Sequence, residues 1–509
     1  MNSKITKQLA HRKSRIERRL NKRQLDNLER PVFTAANIRY EFAERCHGLA
    51  HGGIGAFQLL ARRIGLIDAI DEKLHLLKIH LPYHESDHVL NLAFNALCDG
   101  TCLQDLELLR QNEVYLNALG ATRIPDPTTA GDFCRRFAPK DVHTLMDVFN
   151  ETRQRVWARQ SKDFFELARI DMDGTFVETT GECKVGMDIN YKGQWGYHPL
   201  VVSLANTGEI LSILNRSGNR PSHEGAAAEV DRALRVCLEG GFLNVLLRGD
   251  TDFSQTQHLD RWNADPRVRF IFGFDNTTKR HVLADDLQDA DWQPLQRRGR
   301  YEIKTQARQK PPRVKDKIVR EREFQNKRLV CEEVAEMPYR PIACENTYRL
   351  VVVRKNLSVE KGELWLYDDY VYFFYLTNDK TSTAAQIVFE ANQRCNQENL
   401  HAQLQGGVGA LTAPVNTLES NWAYMVITAL AWNMKAWFAL WPTAGPGRHI
   451  ERHQQEKKTL LGMEFKTFLN AFMRMPCQLV RTGRRLIYRL LSWNPWQRIF
   501  LRTIGQLNA

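Results

Sequence analysis

Hydrophobic positions recur every three to four residues through most of residues 50–160. Segments such as SDHVLNLAFNALCDG and DVHTLMDVFNETRQRVW place their apolar residues on one helical face. Pro127, with the two threonines after it, is a helix-start signal, and the helix that follows would display Arg135 and Arg136. The pattern predicts a helical region. A small DNA-binding domain and a helical scaffold both fit this pattern.

Between residues 163 and 250 the pattern changes to short apolar runs separated by turn signals. FFELARIDMD predicts a buried strand, and the segment after it contains two β-rich runs joined by NTGE. HEGAAAEVDRALRVCLEGG predicts a helix that stops at its paired glycines, and FLNVLLRGD predicts another buried strand. Three strands, a helix and a fourth strand, with acids on the first and fourth strands, are typical of a ribonuclease-H-like domain.

From residue 262 to about 380, short strand patterns such as RFIFGF, RLVVVRKN and YVYFFYLT alternate with polar linkers. The pattern is helical again from residue 384, and its longest apolar stretch runs from Tyr424 to Trp441, interrupted by Asn433 and Lys435. That stretch has the length of a membrane span, but its polar interruptions favour a buried core helix. The closing segment, FLNAFMRMPCQLVRTGRRLIYRLLSWNPWQRIFLR, predicts a basic, aromatic helix.

Together these patterns predict an α/β protein. Its ribonuclease-H-like catalytic domain would be interrupted by a β-rich insertion and flanked by helical N-terminal and C-terminal regions. The predicted divisions are 1–160 for a basic arm and helical DNA-binding region, 161–261 for the first part of the catalytic domain, 262–383 for the insertion, 384–445 for the second part of the catalytic domain, and 446–509 for a basic helical region.

Composition and charge narrow the class of protein. The hydrophobic content of 43% in 509 residues predicts a folded chain, and the net charge is +12. Residues 1–30 hold ten Lys or Arg and three acids, which suits either a solvated arm or a phosphate-contacting arm. Residues 297–328 hold thirteen Lys or Arg and four acids. The ten cysteines show no zinc-site spacing and the N-terminus has no signal-peptide core, so we expect reduced thiols in a cytoplasm.

Three acidic residues stand where carboxylates could meet at a metal site. Asp173 lies in ARIDMDGTF and Asp250 ends NVLLRGD, so each closes a predicted strand, while Glu398 lies on a helical pattern in NQRCNQENLHAQL. Carboxylates at strand ends and on a facing helix suit a two-metal site for phosphodiester chemistry, in which two cations clamp the attacking and leaving oxygens. The sequence shows no Ser-His or Cys-His nucleophile pair.

Each of these acids has a competitor nearby. Asp171 lies two residues before Asp173 on the same strand face, and we prefer Asp173 because the glycine after it would let a phosphate backbone approach. Asp252 is expected to cap the next helix. Glu390 lies two helical turns before Glu398, which we prefer for its neighbouring arginine and asparagine.

Other side chains have two open interpretations. Arg394 lies one helical turn before Glu398, so either an intrahelical salt bridge or a phosphate contact is expected. His198 suits a packed strand position better than a ligand position. Trp262, Trp292 and Trp365 could stack on a flipped base, although core packing is favoured for each.

The motifs Asp-x-Asp-Gly-Thr, Arg-Gly-Asp and Arg394-x-x-x-Glu398 resemble those of the bacterial insertion-sequence DDE transposases, and the nearest group is the IS thirteen-eighty family. The resemblance covers about residues 165–440, including GYHPL, NTGEIL, YLTN and NWAYMVITALAWNMK. Related hairpin-forming transposases carry Tyr-x-x-Arg-x-x-x-Glu-x-x-x-x-x-x-Lys. Here Ala391 and Gln405 stand at the Tyr and Lys positions, so those two DNA-end contacts are not carried over.

The resemblance implies that Asp173, Asp250 and Glu398 bind Mg²⁺, with Mn²⁺ as a substitute, for strand cleavage and strand transfer in cut-and-paste transposition. The implied partners are double-stranded DNA, as terminal inverted repeats and target, and a second copy in a synaptic dimer; the implied location is the bacterial cytoplasm, at the nucleoid when bound to DNA, with no membrane association. The expected DNA-contacting residues are Arg394, Arg297, Arg298, Arg300, Arg135 and Arg136. The alternatives are a structure-specific nuclease of the same fold and a non-catalytic DNA-binding protein.

Overall fold

The structure is a computed structural model. It describes residues 3–20, 35, 38–40, 46–80, 82–296, 327–328, 331–357, 359–360, 363–364, 370–443, 447–483 and 485–509. The predicted basic stretch therefore lies almost wholly outside the described residues, as do Arg297, Arg298, Arg300 and Trp365.

The α-helices of the described residues follow in chain order. They are α1 (Ser3–Leu20), α2 (Ile54–Arg63), α3 (Leu66–Lys73), α4 (Glu85–Leu97), α5 (Leu106–Arg110), α6 (Glu113–Leu119), α7 (Pro127–Cys134), α8 (Pro139–Trp157), α9 (Ala226–Glu239), α10 (Leu259–Asn263), α11 (Thr278–Asp285), α12 (Ala384–Asn392), α13 (Asn396–Ala402), α14 (Leu418–Leu440), α15 (Ile450–Leu461), α16 (Phe465–Phe468) and α17 (Gln497–Leu507).

The β-strands are named in the same way. They are β1 (Gly48–Leu49), β2 (Ala168–Gly174), β3 (Val177–Glu178), β4 (Asp188–Ile189), β5 (Trp195–Tyr197), β6 (Leu200–Leu204), β7 (Glu209–Leu214), β8 (Val245–Gly249), β9 (Val268–Phe274), β10 (Gln293–Pro294), β11 (Lys327–Arg328), β12 (Cys331–Tyr339), β13 (Tyr348–Asn356), β14 (Val359–Glu360), β15 (Glu363–Leu364), β16 (Tyr370–Thr377), β17 (Cys477–Thr482) and β18 (Arg485–Leu490).

One large mixed sheet organises the middle of the chain. Among the described residues its order is β10-β12-β13-β16-β9-β8-β2-β6-β7. Strands β2, β8 and β9 are parallel neighbours, whereas β6 and β7 continue the sheet antiparallel to β2. Helix α9 makes the crossover from β7 to β8. Because neighbouring parallel strands end at the same edge, the last residues of β2 and β8 lie side by side.

The segment predicted as a β-rich insertion contributes strands to this same sheet. Strand β9 pairs with β8, and β16, β13 and β12 follow it by antiparallel pairing. Strand β9 has the burial pattern of a central strand, since nearly all of its side chains are buried. The division of the chain into separate domains stays a prediction.

Helix α14 is the centre of the helical layer. Every residue from Ser420 to Leu440 is buried, and the helix packs against α4, α8 and strand β7. Thr417 starts it by accepting a hydrogen bond from the backbone of Ser420. The prediction of a buried core helix is confirmed, and no helix in the described part of the chain is long and apolar enough to cross a membrane.

The expected C-terminal helix is wrong between residues 477 and 490. Strands β17 and β18 form an antiparallel hairpin there, and β17 also pairs with β1. Pro476 disfavours helix continuation because it has no amide hydrogen and its ring clashes with the preceding turn. Gly483 turns the chain at φ +49°. The alternating pattern of β17, with Cys477 and Leu479 buried, has the period of a strand. The predicted helical form is kept up to Met473 and again in α17.

Candidate active site

Asp173 lies near the end of β2, an interior strand of the large sheet, between β8 and β6. It is opposite Val201 of β6, and its side chain is 16% exposed. Asp171 lies two residues earlier on the same strand, but its surroundings differ. Arg248 of β8 donates to both Asp171 carboxylate oxygens, at 2.6 and 2.8 Å, and both residues are 1% exposed. Asp171 is therefore held in a buried ion pair, while Asp173 keeps access to solvent.

Glu390 extends this ion pair into a partly exposed network. Its Oε1 lies 3.0 Å from Arg248 Nη1 and 2.7 Å from Arg169 Nε. Helix α12, which carries Glu390, begins with a capping box between Thr383 and Gln386. The arginines of two adjacent strands thus tie the end of α12 to the sheet, and this positions the segment that follows it.

Asp250 is the residue immediately after β8, beside the end of β2. Its Oδ1 accepts a hydrogen bond from the backbone amide of Asp252 at 3.1 Å, which caps the short 3₁₀ turn Thr251–Phe253. The expectation that Asp252 would be the cap is therefore wrong. Asp250 takes that role because the capping residue must be the one with extended backbone just before the turn, while the Asp252 side chain is exposed.

Arg394 joins the two strand ends. Its Nη1 lies 3.3 Å from Asp173 Oδ2 and 3.8 Å from Asp250 Oδ2. The chain at Gln393–Cys395 is a 3₁₀ turn between α12 and α13 rather than part of a continuous helix. The α-helical spacing assumed for Arg394 and Glu398 does not hold there, and the described contacts of Arg394 go to the two aspartates. A single cationic nitrogen thus serves both carboxylates.

The surroundings of Asp173 and Asp250 disfavour ionisation of both carboxyl groups. The pKa of Asp173 is raised to about 6, mainly by burial; Arg394 acts against that rise, and the nearby Asp250 charge adds to it. Burial also raises the pKa of Asp250, with Arg394 acting against that rise and Asp252 adding to it. Positive charge next to these carboxylates would stabilise their ionised forms.

Glu398 lies in the first turn of α13 and is exposed. The residue before it, Gln397, is buried; it accepts from Ser203 Oγ at 2.6 Å and donates to the carbonyl oxygen of Val201 at 3.2 Å. These bonds fix α13 over β6 opposite the acidic end of β2. The structure does not bring Glu398 into contact with Asp173 or Asp250, and no three His, Cys, Asp or Glu of the described residues are grouped to hold a metal ion.

Two histidines lie near this group, His198 beside Gly174 and His401 near Arg394. A methyl carbon added to Gly174 would lie 2.8 Å from His198 Nε2, so the missing side chain of this glycine makes room for His198 rather than for an open approach to the strand. Sequence reasoning missed His401, which is 7% exposed and whose pKa is lowered to about 4 by burial, then by the charges of Arg394 and His198. Its position three residues after Glu398 was the available signal.

The remaining predicted residues are spread over the molecule. Arg135 and Arg136 are exposed directly after α7, where Arg135 Nε donates to Asn416 at 2.7 Å and its Nη1 to Asp132 at 2.6 Å. Trp262 and Trp292 are buried, at 4% and 7% exposure, as core packing predicted.

Comparisons with known proteins place the chain in a family. The cryo-EM structure of the piggyBac transposase synaptic complex with hairpin DNA is similar over 84% of this chain and 84% of that chain, at 12% sequence identity and a TM-score of 0.36. No curated protein matches the chain. The family model described as transposase DDE domain group 1 matches residues 49–509. Since that match spans nearly the whole chain, the protein belongs to the transposase DDE domain group 1 family.

Proposed function

We propose that this family member is a DNA transposase that cleaves DNA strands at terminal inverted repeats and transfers the freed 3′ ends to target DNA. The observation that carries the proposal is the meeting of Asp173 and Asp250 at one edge of the sheet, where a single Arg394 nitrogen serves both. The motif resemblance adds Glu398 as the third acid.

The donor set of this edge fits a hard divalent cation. Carboxylate oxygens are the protein ligands that Mg²⁺ and Mn²⁺ prefer. Burial raises the pKa of both aspartates, so a bound cation would stabilise their ionised forms. Asp173 and Asp250 would hold the metal, and Glu398 would join them from the first turn of α13. Bound there, the metal would supply Lewis-acid activation of a water and neutralise the leaving 3′ oxygen.

The side chains around the aspartates have separate tasks. Arg394 presents a guanidinium at the strand ends, where it can contact non-bridging phosphate oxygens of a DNA strand. Gln397 orients α13, which carries Glu398. His401 stays neutral at pH 7 because its pKa is about 4, so it adds no charge that would compete with a metal.

Finer assignments belong to the same proposal. The strand order β7, β6, β2, β8, with α9 connecting β7 to β8, supports a ribonuclease-H-like core. The quoted motifs support a place in the IS thirteen-eighty family, with cut-and-paste chemistry in a synaptic homodimer in the bacterial cytoplasm. Ala391 and Gln405 replace the Tyr and Lys of the signature of hairpin-forming transposases, so other residues would make the DNA-end contacts.

The test is strand cleavage by Asp173→Ala, Asp250→Ala and Glu398→Ala proteins on DNA carrying the element's ends. We expect each change to abolish cleavage with Mg²⁺ while DNA binding in Ca²⁺ stays within a few-fold of wild type, since affinity rests mainly on phosphate contacts. Asp252→Ala is the matched control, because it removes an exposed carboxylate from the same loop, and it should cleave normally.

Full cleavage by the Asp173→Ala protein would refute the assignment. Cleavage without any joined strand-transfer product would instead favour the structure-specific nuclease.

A further inference from the structure

A groove runs between helix α1 and the C-terminal segments of the chain. Helix α1 half-buries Ile5, Leu9, Arg12 and Ile16, which share one helical face. Arg12 Nη1 donates to the carbonyl oxygens of Leu490 and Ser492, at 2.8 and 3.2 Å. These contacts dock α1 beside strand β18 although the two segments are 478 residues apart in sequence.

The groove has a volume of about 790 Å³ and is strongly cationic. Its lining combines leucines from α1, β18 and α17 with basic side chains and contains no carboxylate. The basic residues lining it are Lys4, Lys7, His11, Arg12, Arg15 and Arg489. The five Lys and Arg side chains among them repel each other, and an extended anion would relieve that repulsion.

The basic residues of α1 are spaced to meet a repeating anion. Lys4, Lys7, His11 and Arg15 follow one another at intervals of three or four residues, so each successive helical turn presents one of them. One turn rises about 5.4 Å, so these four cover roughly 16 Å of the helix. A compact anion would meet only one or two of them, whereas a nucleic-acid backbone could meet them all.

We propose that this groove binds the phosphate backbone of duplex DNA. The choice of DNA rests on the proposed function; α1, which supplies most of the groove's basic side chains, precedes the matched residues 49–509. Lys7 and Arg15 are exposed and contribute phosphate contacts, while the docked Arg12 holds α1 in place.

The test measures the affinity for uncut duplex DNA across a salt series in EDTA, where no cleavage occurs. Each phosphate contact contributes about 0.9 to the slope of log K against log salt concentration. The Lys7→Gln protein should lose about one unit of slope and Lys7→Gln/Arg15→Gln about two. Lys13→Gln is the matched control: Lys13 lies on the same helix outside the groove, paired with Glu17 at 3.6 Å, and its loss should leave the slope unchanged.

The Lys7→Arg/Arg15→Lys protein keeps the charge and should keep the wild-type slope, which separates lost charge from a damaged helix. A wild-type slope in the Lys7→Gln/Arg15→Gln protein would overturn the proposal. The proposal would also be overturned if this variant lost binding to anionic phospholipid vesicles while its DNA binding stayed intact. Cleavage by Asp173→Ala would refute the proposed function alone, because the salt series does not depend on catalysis.

Discussion

Asp171 and Asp173 show how two carboxylates on one strand acquire different tasks. Asp171 is neutralised by a bidentate ion pair with Arg248, and both side chains are 2% exposed. Asp173 has a single longer contact with Arg394, at 3.3 Å, and a pKa of about 6. Asp171 stabilises the sheet through its ion pair with Arg248. Ionising Asp173 costs free energy in the folded protein, and a bound cation would reduce that cost.

We expect Asp173→Asn to stabilise the metal-free protein at high pH. The folded-state pKa of about 6 lies above the ordinary value of 3.8, so the folded state holds its proton more tightly. Stability therefore falls as pH rises from 3.8 to 6, and the loss above pH 6 is at most roughly 3 kcal/mol. Urea denaturation in EDTA at pH 8 should show the variant more stable by up to about that amount; a less stable variant would contradict this account.

Asp171→Asn should have the opposite effect. It removes the main partner of the buried Arg248 guanidinium, which keeps only Glu390. Breaking one side of a buried ion pair costs about 3–5 kcal/mol because an uncompensated charge stays behind. The same denaturation series measures this, and wild-type stability in this variant would show that Arg248 is satisfied without Asp171.

Helix α14 carries a charge in a place that its apolar pattern does not suggest. Lys435 is 1% exposed; its Nζ donates to the carbonyl oxygen of Leu461 at 3.0 Å and lies 3.9 Å from the ring centre of Trp432. Burial lowers the pKa of Lys435 to about 7. Helix α14 is therefore largely apolar and buried, but it contains one amine whose charged form is destabilised by burial.

We expect Lys435→Met to stabilise the protein most at low pH. The folded pKa of about 7 lies below the ordinary 10.5, so wild-type stability is lost as pH falls from 10.5 to 7. Removing the amine should raise the free energy of unfolding at pH 7 by roughly 2–4 kcal/mol, and the gain should shrink towards pH 10. Thermal or urea unfolding of both proteins at pH 7 and 9.5 gives the difference; a gain independent of pH would mean that packing, not charge, causes it.

At the scale of the whole molecule, the basic stretch at residues 297–328 remains a predicted DNA contact. It holds thirteen Lys or Arg and four acids between the second and third acidic motifs. Combined Arg297→Gln, Arg298→Gln and Arg300→Gln changes should weaken end-DNA binding and lower the salt slope by about three units. The control is the Arg297→Lys/Arg298→Lys/Arg300→Lys protein, which keeps the three positive charges. Unchanged affinity and slope would leave DNA binding to other basic regions.

Local patterns were sufficient for the parts of the molecule that short-range physics governs. Apolar runs bounded by turn residues located β2 and β8, and with them Asp173 and Asp250 at two strand ends, because burial and backbone pairing act on each run directly. Helix α14 followed from its long apolar stretch, in which the polar interruptions at Asn433 and Lys435 favoured a buried core helix over a membrane span. The C-terminal hairpin was missed although Pro476, Gly483 and the alternating burial of β17 are local signals for it; the pairing of β17 with Gly48–Leu49, far away in sequence, adds to them.

Long-range packing produced the rest. Arg394 meets Asp173 across 221 positions of sequence, and Arg248 meets Asp171 across 77, so no local pattern could assign either partner. Which aspartate is neutralised, which one caps a turn and where the 3₁₀ break before α13 falls all depend on how the sheet and helices pack. Side-chain chemistry and hydrophobic period specify the acids and the elements that carry them; partners, burial and pKa arise from contacts that exist only once the chain is folded.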